Sequence, residues 1–279
     1  MIRIDMHTHT TASDGIMNAM ELVRYAKQKQ LAGIAITDHD TTDALDEAYE
    51  ILKHDQDMWF LPGIEFSTEE GNTEVHVLAY GLDYHDHSLK RLLVKLRNAR
   101  VERAKKMVIK LNELGIAITF EQVKEYAKKG IVGRVHIARA LVNYGFTVSV
   151  KQAFDQWIGK TAPAYVPRFK LKPLETIHMI HDLGGVSVLA HPALMKNDPL
   201  VDQLIRNSLM GIEVFYPAHR PEDTCRYYRK ALDNQLLITG GSDFHAPPSK
   251  KVRESDLGQC AVPLEPVKSF FKSRIRIHE

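Results

Sequence analysis

The chain has 279 residues, 44% of them hydrophobic and 26% charged, and a formal net charge of +2. That length accommodates one large α/β domain or a barrel with a modest insertion. The composition excludes a disordered chain, and no apolar run reaches the roughly 20 residues of a membrane-spanning helix. Two cysteines, Cys225 and Cys260, are too few for a disulfide framework or a cysteine metal site, and the near-neutral balance does not call for a broad nucleic-acid-binding face.

Taken in chain order, residues 2–6 form a predicted strand and not the apolar core of a secretory signal, which points to a cytoplasmic protein. A helix over 18–30, a strand over 33–37, a helix over 42–53 and strands over 60–64 and 75–80 follow. The rhythm then breaks. Leu92, Leu96, Met107 and Leu111 mark a long basic helix, and shorter helical stretches interrupted by Gly130, Gly133 and Gly145 continue to about Tyr165. Past Pro167 the alternation resumes, with helices over 173–183, 199–207 and 221–233 and strands over 185–190, 211–215 and 236–239. Alternating strands and helices predict a parallel sheet, open or closed into a barrel. The expected organisation is a barrel in two parts, residues 1–88 and 166–279, with a helical insertion domain over 89–165 acting as a substrate cap.

The 14 histidines matter through their placement. His7 and His9 end the first strand, and positions i and i+2 of a strand share a face, so the two imidazoles can grip one cation. Alone, H-x-H specifies little. Asp14 follows in the first loop, His39 and Glu65 close the next two apolar runs, His76 lies in the strand over 75–80, His191 closes the run ending at Ala190, and Asp243 with His245 closes the last. In an α/β barrel such strand ends converge on one face, where active sites are built. Six imidazoles and three carboxylates buried together without a cation would cost several kcal/mol per uncompensated group. They exceed the needs of one tetrahedral zinc, so two or three divalent ions are expected. The mixed N/O donors suit Mn²⁺, Fe²⁺ or Zn²⁺, and Glu65 is the natural bridge. Asp5, Asp38 and Asp40 flank ligands and can orient imidazoles, with turn or capping chemistry as the plainer reading of Asp40. His54, His85, His87 and His278 read as surface residues; His178 and His181 as exposed or core-edge ones.

Asp5-Met-His-Thr-His9, Ile36-Thr-Asp-His39, Pro62-Gly-Ile-Glu65, Leu189-Ala-His191-Pro and Gly241-Ser-Asp243-Phe-His245 together resemble the PHP (polymerase and histidinol phosphatase) metallophosphoesterases. Thr11-Ala-Ser-Asp14-Gly, Gly133-Arg-Val-His-Ile-Ala-Arg139, Ala164-Tyr-Val-Pro167 and Gly211-Ile-Glu-Val-Phe215 look closest to the branch of nucleoside 3′,5′-bisphosphate phosphatases and 5′-to-3′ exoribonucleases. The resemblance implies a distorted (βα)₇ TIM-like barrel with a trinuclear site. One metal would be held by His7, His9, Glu65 and Asp243, a second by Glu65, His76 and His191, and a third by Asp14, His39 and His245. Asp14 replaces the histidine of some relatives and hardens the third position toward Mn²⁺ or Fe²⁺.

The expected chemistry is hydrolysis of a nucleotide phosphate monoester with 3′-phosphate release, or 5′-3′ exonucleolytic cleavage of short RNA, by hydroxide bridging two ions, with no side-chain nucleophile. His219 is a candidate to protonate the leaving oxygen or bind phosphate, and Asp38 a second catalytic candidate. Arg134, Arg139 and Lys170, in or beside the insertion, are candidates for holding a phosphate the metals do not touch, and Tyr165 for stacking. The expected substrate is a small nucleotide bisphosphate or a short 5′-phosphorylated RNA; nothing points to a membrane or a stable protein partner. Histidinol-phosphate phosphatase, a metal-dependent amidohydrolase and a non-catalytic nucleic-acid-binding module are the competing readings.

Overall fold

Eight strands make one sheet in the order β7-β6-β5-β4-β3-β2-β1-β8. They are β1 (Arg3–Asp5), β2 (Gly33–Ile36), β3 (Trp59–Glu70), β4 (Thr73–Tyr80), β5 (Val186–Leu189), β6 (Gly211–Phe215), β7 (Leu237–Gly240) and β8 (Val262–Pro263). The structure is a computed structural model, and it describes residues 2–127, 132–167, 169, 171–248 and 255–272. β2 and β5 are buried along their whole length, as expected of short strands covered by helices on the outside and packed side chains within. The sheet curls until its first and last parallel strands meet. The amide of His9 donates to Phe244 O at 2.9 Å and that of Met6 to Gly240 O at 3.2 Å, so the ring closes at the end where His7 and Asp243 lie.

The parallel sheet expected from the alternation has two antiparallel members, the two-residue β8 beside β1 and the longer β4. β3 and β4 form a long hairpin turning at Gly71, and β4 runs antiparallel to both β3 and β5. The reversal has a chemical consequence. In a strand that runs backward, the first residues reach the mouth, so His76 near the start of β4 arrives where the parallel strands deliver their last ones.

Helices α1 (Ala19–Gln28), α2 (Leu45–Leu52), α7 (Pro173–Asp182), α8 (Asp198–Arg206), α9 (Pro221–Asp233) and α10 (Leu264–Lys272) cover the barrel. α1 starts where it does because Asn18 accepts from the Glu21 amide at 2.9 Å and Glu21 reciprocates to the Asn18 amide. Between β4 and α7 lie α3 (His87–Glu113), α4 (Phe120–Ala127), α5 (Arg134–Asn143) and α6 (Val150–Ala153), which runs into a π-helical turn, Phe154–Ile158. The long α3 serves two cores. Leu89, Leu93 and Leu96 pack on the barrel, whereas Ala104, Met107, Val108 and Leu111 join Val123, Ile137 and Leu141 in a separate apolar cluster. The crossing point, around Arg100, overhangs the mouth. Among the described residues no helix is long and apolar enough to cross a membrane, and Cys225 and Cys260 are both free.

Candidate metal centre

Glu65 is the hub. Its carboxylate is almost wholly buried, and its two oxygens serve different partners: Oε2 lies 3.3 Å from both His7 Nε2 and His9 Nε2 and 2.8 Å from His39 Nδ1, while Oε1 lies 2.7 Å from His76 Nδ1 and 3.2 Å from His191 Nε2. Asp243 Oδ1 sits 3.3 Å from His7 Nε2 and 3.0 Å from His9 Nε2. Asp14 Oδ1 is 3.1 Å from His245 Nε2, and its other oxygen is 4.0 Å from His39 Nε2. Donor atoms consequently cluster in three overlapping sets: His7, His9, Glu65 and Asp243; His39, Glu65 and His76; and His9, Asp14, His39 and His245. All nine side chains expected as ligands converge at one mouth, His191 through its contact with Glu65.

Backbone geometry turns these residues inward. Asp40, His191 and Asp243, just past the ends of β2, β5 and β7, have φ of 52°, 30° and 52°. Left-handed non-glycine residues cost about 1–3 kcal/mol each and persist where the surroundings over-determine them. Gly241 lets β7 pass β1 at all: a Cβ there would lie 2.3 Å from His7 Cβ.

The electrostatics are those of a cation site. Burial alone would raise the carboxyls of Glu65, Asp14 and Asp243, but the imidazoles facing them outweigh it and hold all three well below the carboxylate range. Burial alone would lower the imidazoles, yet the carboxylates hold His7 well above its usual value, His76 up at about 9 and His245 at about 10. His9, wholly buried and repelled by His245, is pushed down to about 4. His7 Nε2, His9 Nε2, Asp14 Oδ1, His39 Nδ1, Glu65 Oε2, His76 Nε2 and His191 Nδ1 are buried and crowd one another, yet none makes a properly directed hydrogen bond. So many orphaned donor atoms around one carboxylate fit divalent cations, whose charge would replace the protons the carboxylates now hold on the rings.

The flanking carboxylates do other work than expected. Asp38 meets no imidazole: it accepts from the Thr10 amide at 2.7 Å, Thr10 Oγ1 at 2.6 Å and Ser13 Oγ at 2.5 Å, fastening the loop that carries Asp14. Its contact with His9 runs through Ser13. Asp5 accepts from the amides of His7, Ser242 and Gly258, and Asp40 from the Ser67 amide and Arg100. The carboxylate that does hold an imidazole is Glu213, 3.0 Å from His7 Nδ1 and 2.8 Å from the His191 amide. The sequence reading gave it no role, although a glutamate inside the apolar run Gly211-Ile-Glu-Val-Phe215 is the kind of residue that needs a buried partner. Tyr216 also joins unannounced, its hydroxyl donating to Asp243 Oδ2 at 3.0 Å.

His219 stands behind Tyr216, with Nδ1 against Val214 O at 2.9 Å and Nε2 facing the Ala193 amide at 3.4 Å. Burial lowers its pKa, so the neutral ring that donates from Nδ1 and accepts at Nε2 is the stable form. Both nitrogens face backbone groups in this arrangement. His54, His85, His87 and His178 are exposed, as expected of surface residues, and His181 pairs with Ser187 Oγ at 3.0 Å; His278 lies outside the described residues.

A cleft of about 130 Å³ opens beside the cluster, with Asp14, His39 and His76 on its floor and Arg100, Arg103 and Arg134 on its wall. Arg134 begins α5 and lies over the Phe154 and Tyr165 rings at 5.4 and 5.9 Å, with Glu74 3.6 Å away. Arg100 is anchored by Asp40 and donates to Ser67 Oγ at 3.0 Å. Arg139 does not line this cleft: five residues past Arg134 on the same helix, it faces another way. Lys170 lies outside the described residues. Arg100 and Arg103 escaped the sequence reading because α3 carries many basic residues, and only the way it crosses the barrel selects these two.

Known proteins share this architecture. The PHP domain family model matches residues 5–164. The chain is 31% identical over 253 residues to a 3′,5′-nucleoside bisphosphate phosphatase of Chromobacterium violaceum, covering 88% of each chain. It is 31% identical over 249 residues to the 5′-3′ exoribonuclease Rnm of Escherichia coli, covering 87% of this chain and 85% of that one. A protein of Bifidobacterium adolescentis assigned as a metal-dependent phosphoesterase superimposes with a TM-score of 0.89 at 31% identity, over 98% of this chain and 97% of that one. With a barrel mouth built for divalent cations and relatives of this kind along nearly its whole length, the chain belongs to the PHP domain family and is a metal-dependent phosphoesterase.

Proposed function

We propose that the enzyme hydrolyses a phosphate monoester of a nucleotide that carries a second phosphate, a nucleoside 3′,5′-bisphosphate in the first instance. The observation that carries this reading is the cleft with donor imidazoles and carboxylates on its floor and three arginines on its wall. One phosphate is addressed by the floor. A second, a few ångströms out, meets guanidinium groups whose planar forks suit phosphate oxygens. Relatives named for bisphosphate hydrolysis and for 5′-3′ RNA degradation support the same pairing of phosphates, since a 5′-phosphorylated RNA end also presents two close together.

In this proposal His7, His9, Glu65 and Asp243 hold one ion, Glu65, His76 and His191 a second, and Asp14, His39 and His245 a third. Mn²⁺, Fe²⁺ and Zn²⁺ all suit these donors. Bound there, divalent ions supply Lewis acidity and lower the pKa of water. The chain's own groups do the rest: Arg100 and Arg134 hold the remote phosphate, Asp38 fixes the Asp14 loop, and Tyr216 fixes Asp243. Arg139 is left out of it, since it does not line the cleft.

Turnover of 3′-AMP, 5′-AMP and adenosine 3′,5′-bisphosphate, read as phosphate release, and of a short 5′-phosphorylated RNA, read as mononucleotide release, tests the proposal. The expected order puts the bisphosphate or RNA end above either mononucleotide by about 10–100-fold in kcat/KM, the worth of one or two charge-assisted contacts. Equal rates on mononucleotide and bisphosphate would sink it.

A further inference from the structure

Glu213 is fully buried in the middle of β6, between Ile212 and Val214. A strand that needed only packing would place a neutral residue there, because burying a carboxylate costs free energy unless partners repay it. Its partners are specific. Oε1 lies 3.0 Å from His7 Nδ1, and Oε2 accepts from the His191 amide at 2.8 Å. His7 in turn presents Nε2 to Glu65 Oε2, and His191 presents Nε2 to Glu65 Oε1. One buried carboxylate thus touches one ligand residue on each side of the central carboxylate. His191 also sits at φ 30° and ψ 57°, a left-handed conformation that an acceptor for its amide helps to hold.

We propose that Glu213 is a positioning residue that couples the two sides of the metal centre; the proposal rests on the ligand assignment above. It keeps the His7 proton on Nδ1, leaving the Nε2 lone pair for an ion, and it fastens the His191 backbone so that its ring meets the other oxygen of Glu65. Losing it loosens a ligand from each of two ion positions at once.

The experiment is Mn²⁺ titration into the metal-stripped full chain, wild type against Glu213→Gln, followed by calorimetry, by bound-metal analysis and by melting temperature with and without Mn²⁺. Glutamine keeps the shape and its carbonyl can still accept from the His191 amide, but its NH₂ then faces His7 Nδ1 and cannot accept a proton from it. Expected is a weakening of about 10–100-fold at two ion positions together and a smaller Mn²⁺-induced rise in melting temperature, over and above any difference between the stripped proteins from losing the buried His7 pair. Weakening at one position, unaltered binding, or an equal fall in melting with and without metal each overturns it, the last by making Glu213 a mere structural brace. A wild-type chain that takes up no ion overturns the ligand assignment as well, which separates the two failures. Should the variant not fold, ¹⁵N spectra of histidine-labelled, Zn²⁺-loaded wild type decide: a His7 proton on Nδ1 supports the proposal, and one on Nε2 overturns it.

Discussion

The barrel mouth and the insertion that overhangs it are built on opposite terms. At the mouth, His7, His9 and Glu65 are at most 1% exposed, each comes from a strand or its first following residues, and three strained backbones hold neighbouring side chains in place. In the insertion, Arg134 is the first residue of a short helix, lies between two aromatic rings and keeps about a fifth of its side chain exposed. Rigid strand ends suit chemistry that tolerates little displacement of donor atoms. Helices on a separate apolar core suit recognition, since they can vary without disturbing the barrel. The difference separates what the enzyme does from which phosphate ester it selects.

The largest expected effect breaks the mouth. Glu65→Gln removes the carboxylate that five imidazoles face, and phosphate release should fall by about 10³-fold or more, some 4 kcal/mol of transition-state stabilisation, on every substrate alike; chelation of the wild type should do the same. A variant that lost one substrate but not another would erase the division between the two regions. Next comes Gly241→Ala, whose Cβ would lie 2.3 Å from that of His7, far inside van der Waals contact. A stability loss of about 3 kcal/mol is expected by denaturant melts, together with weaker metal uptake. Wild-type stability would mean that β1 and β7 can part at no cost.

Arg100→Ala and Arg134→Ala sharpen the contrast from the other side. Each should lower kcat/KM for a bisphosphate about 30-fold, near 2 kcal/mol, while leaving a mononucleotide within a few-fold and bound-metal content unchanged. Arg139→Ala, off the cleft, should do neither. The smallest effect concerns the insertion's own stability. His136 is buried beside the cleft, accepts from the Gly133 amide at 3.0 Å and has its pKa pushed down to about 4 by burial and by the nearby Arg139 and Arg100 charges, with Asp14 opposing. Its folded-state pKa lies below the unfolded one, so the unfolded chain binds the extra proton between these values. Stability therefore rises with pH across that window and is lost as pH falls from about 6.5 to 4. His136→Gln should flatten the slope in pH-dependent melts of the stripped protein, and an unchanged slope would assign it elsewhere.

The candidate ligands other than Asp14, which lies in the first loop, were legible in the sequence because each follows or sits in a short apolar run, and β-structure delivers such positions to a predictable place. The helices were legible too: proline or asparagine starts and 3.6-residue spacing placed α1, α7 and α9 within a residue or two of where they lie. Adjacency misled where it stood in for contact. Asp38 precedes His39 yet turns to Thr10 and Ser13, and the remote Glu213 takes the His7 imidazole.

The sequence by itself determined the alternation of strands and helices, the break where the insertion enters, and the kind of donor at each strand end, since these depend on local periodicity and side-chain chemistry. Only the tertiary structure decided that β4 runs backward and so brings His76 to the mouth. It also decided that Glu65 divides its oxygens between two sides and that Arg100 and Arg134, not Arg139, face the cleft. Those outcomes depend on strand direction, on ring closure between β1 and β7, and on the angle at which α3 crosses the barrel. Each is set by contacts between residues far apart in the chain.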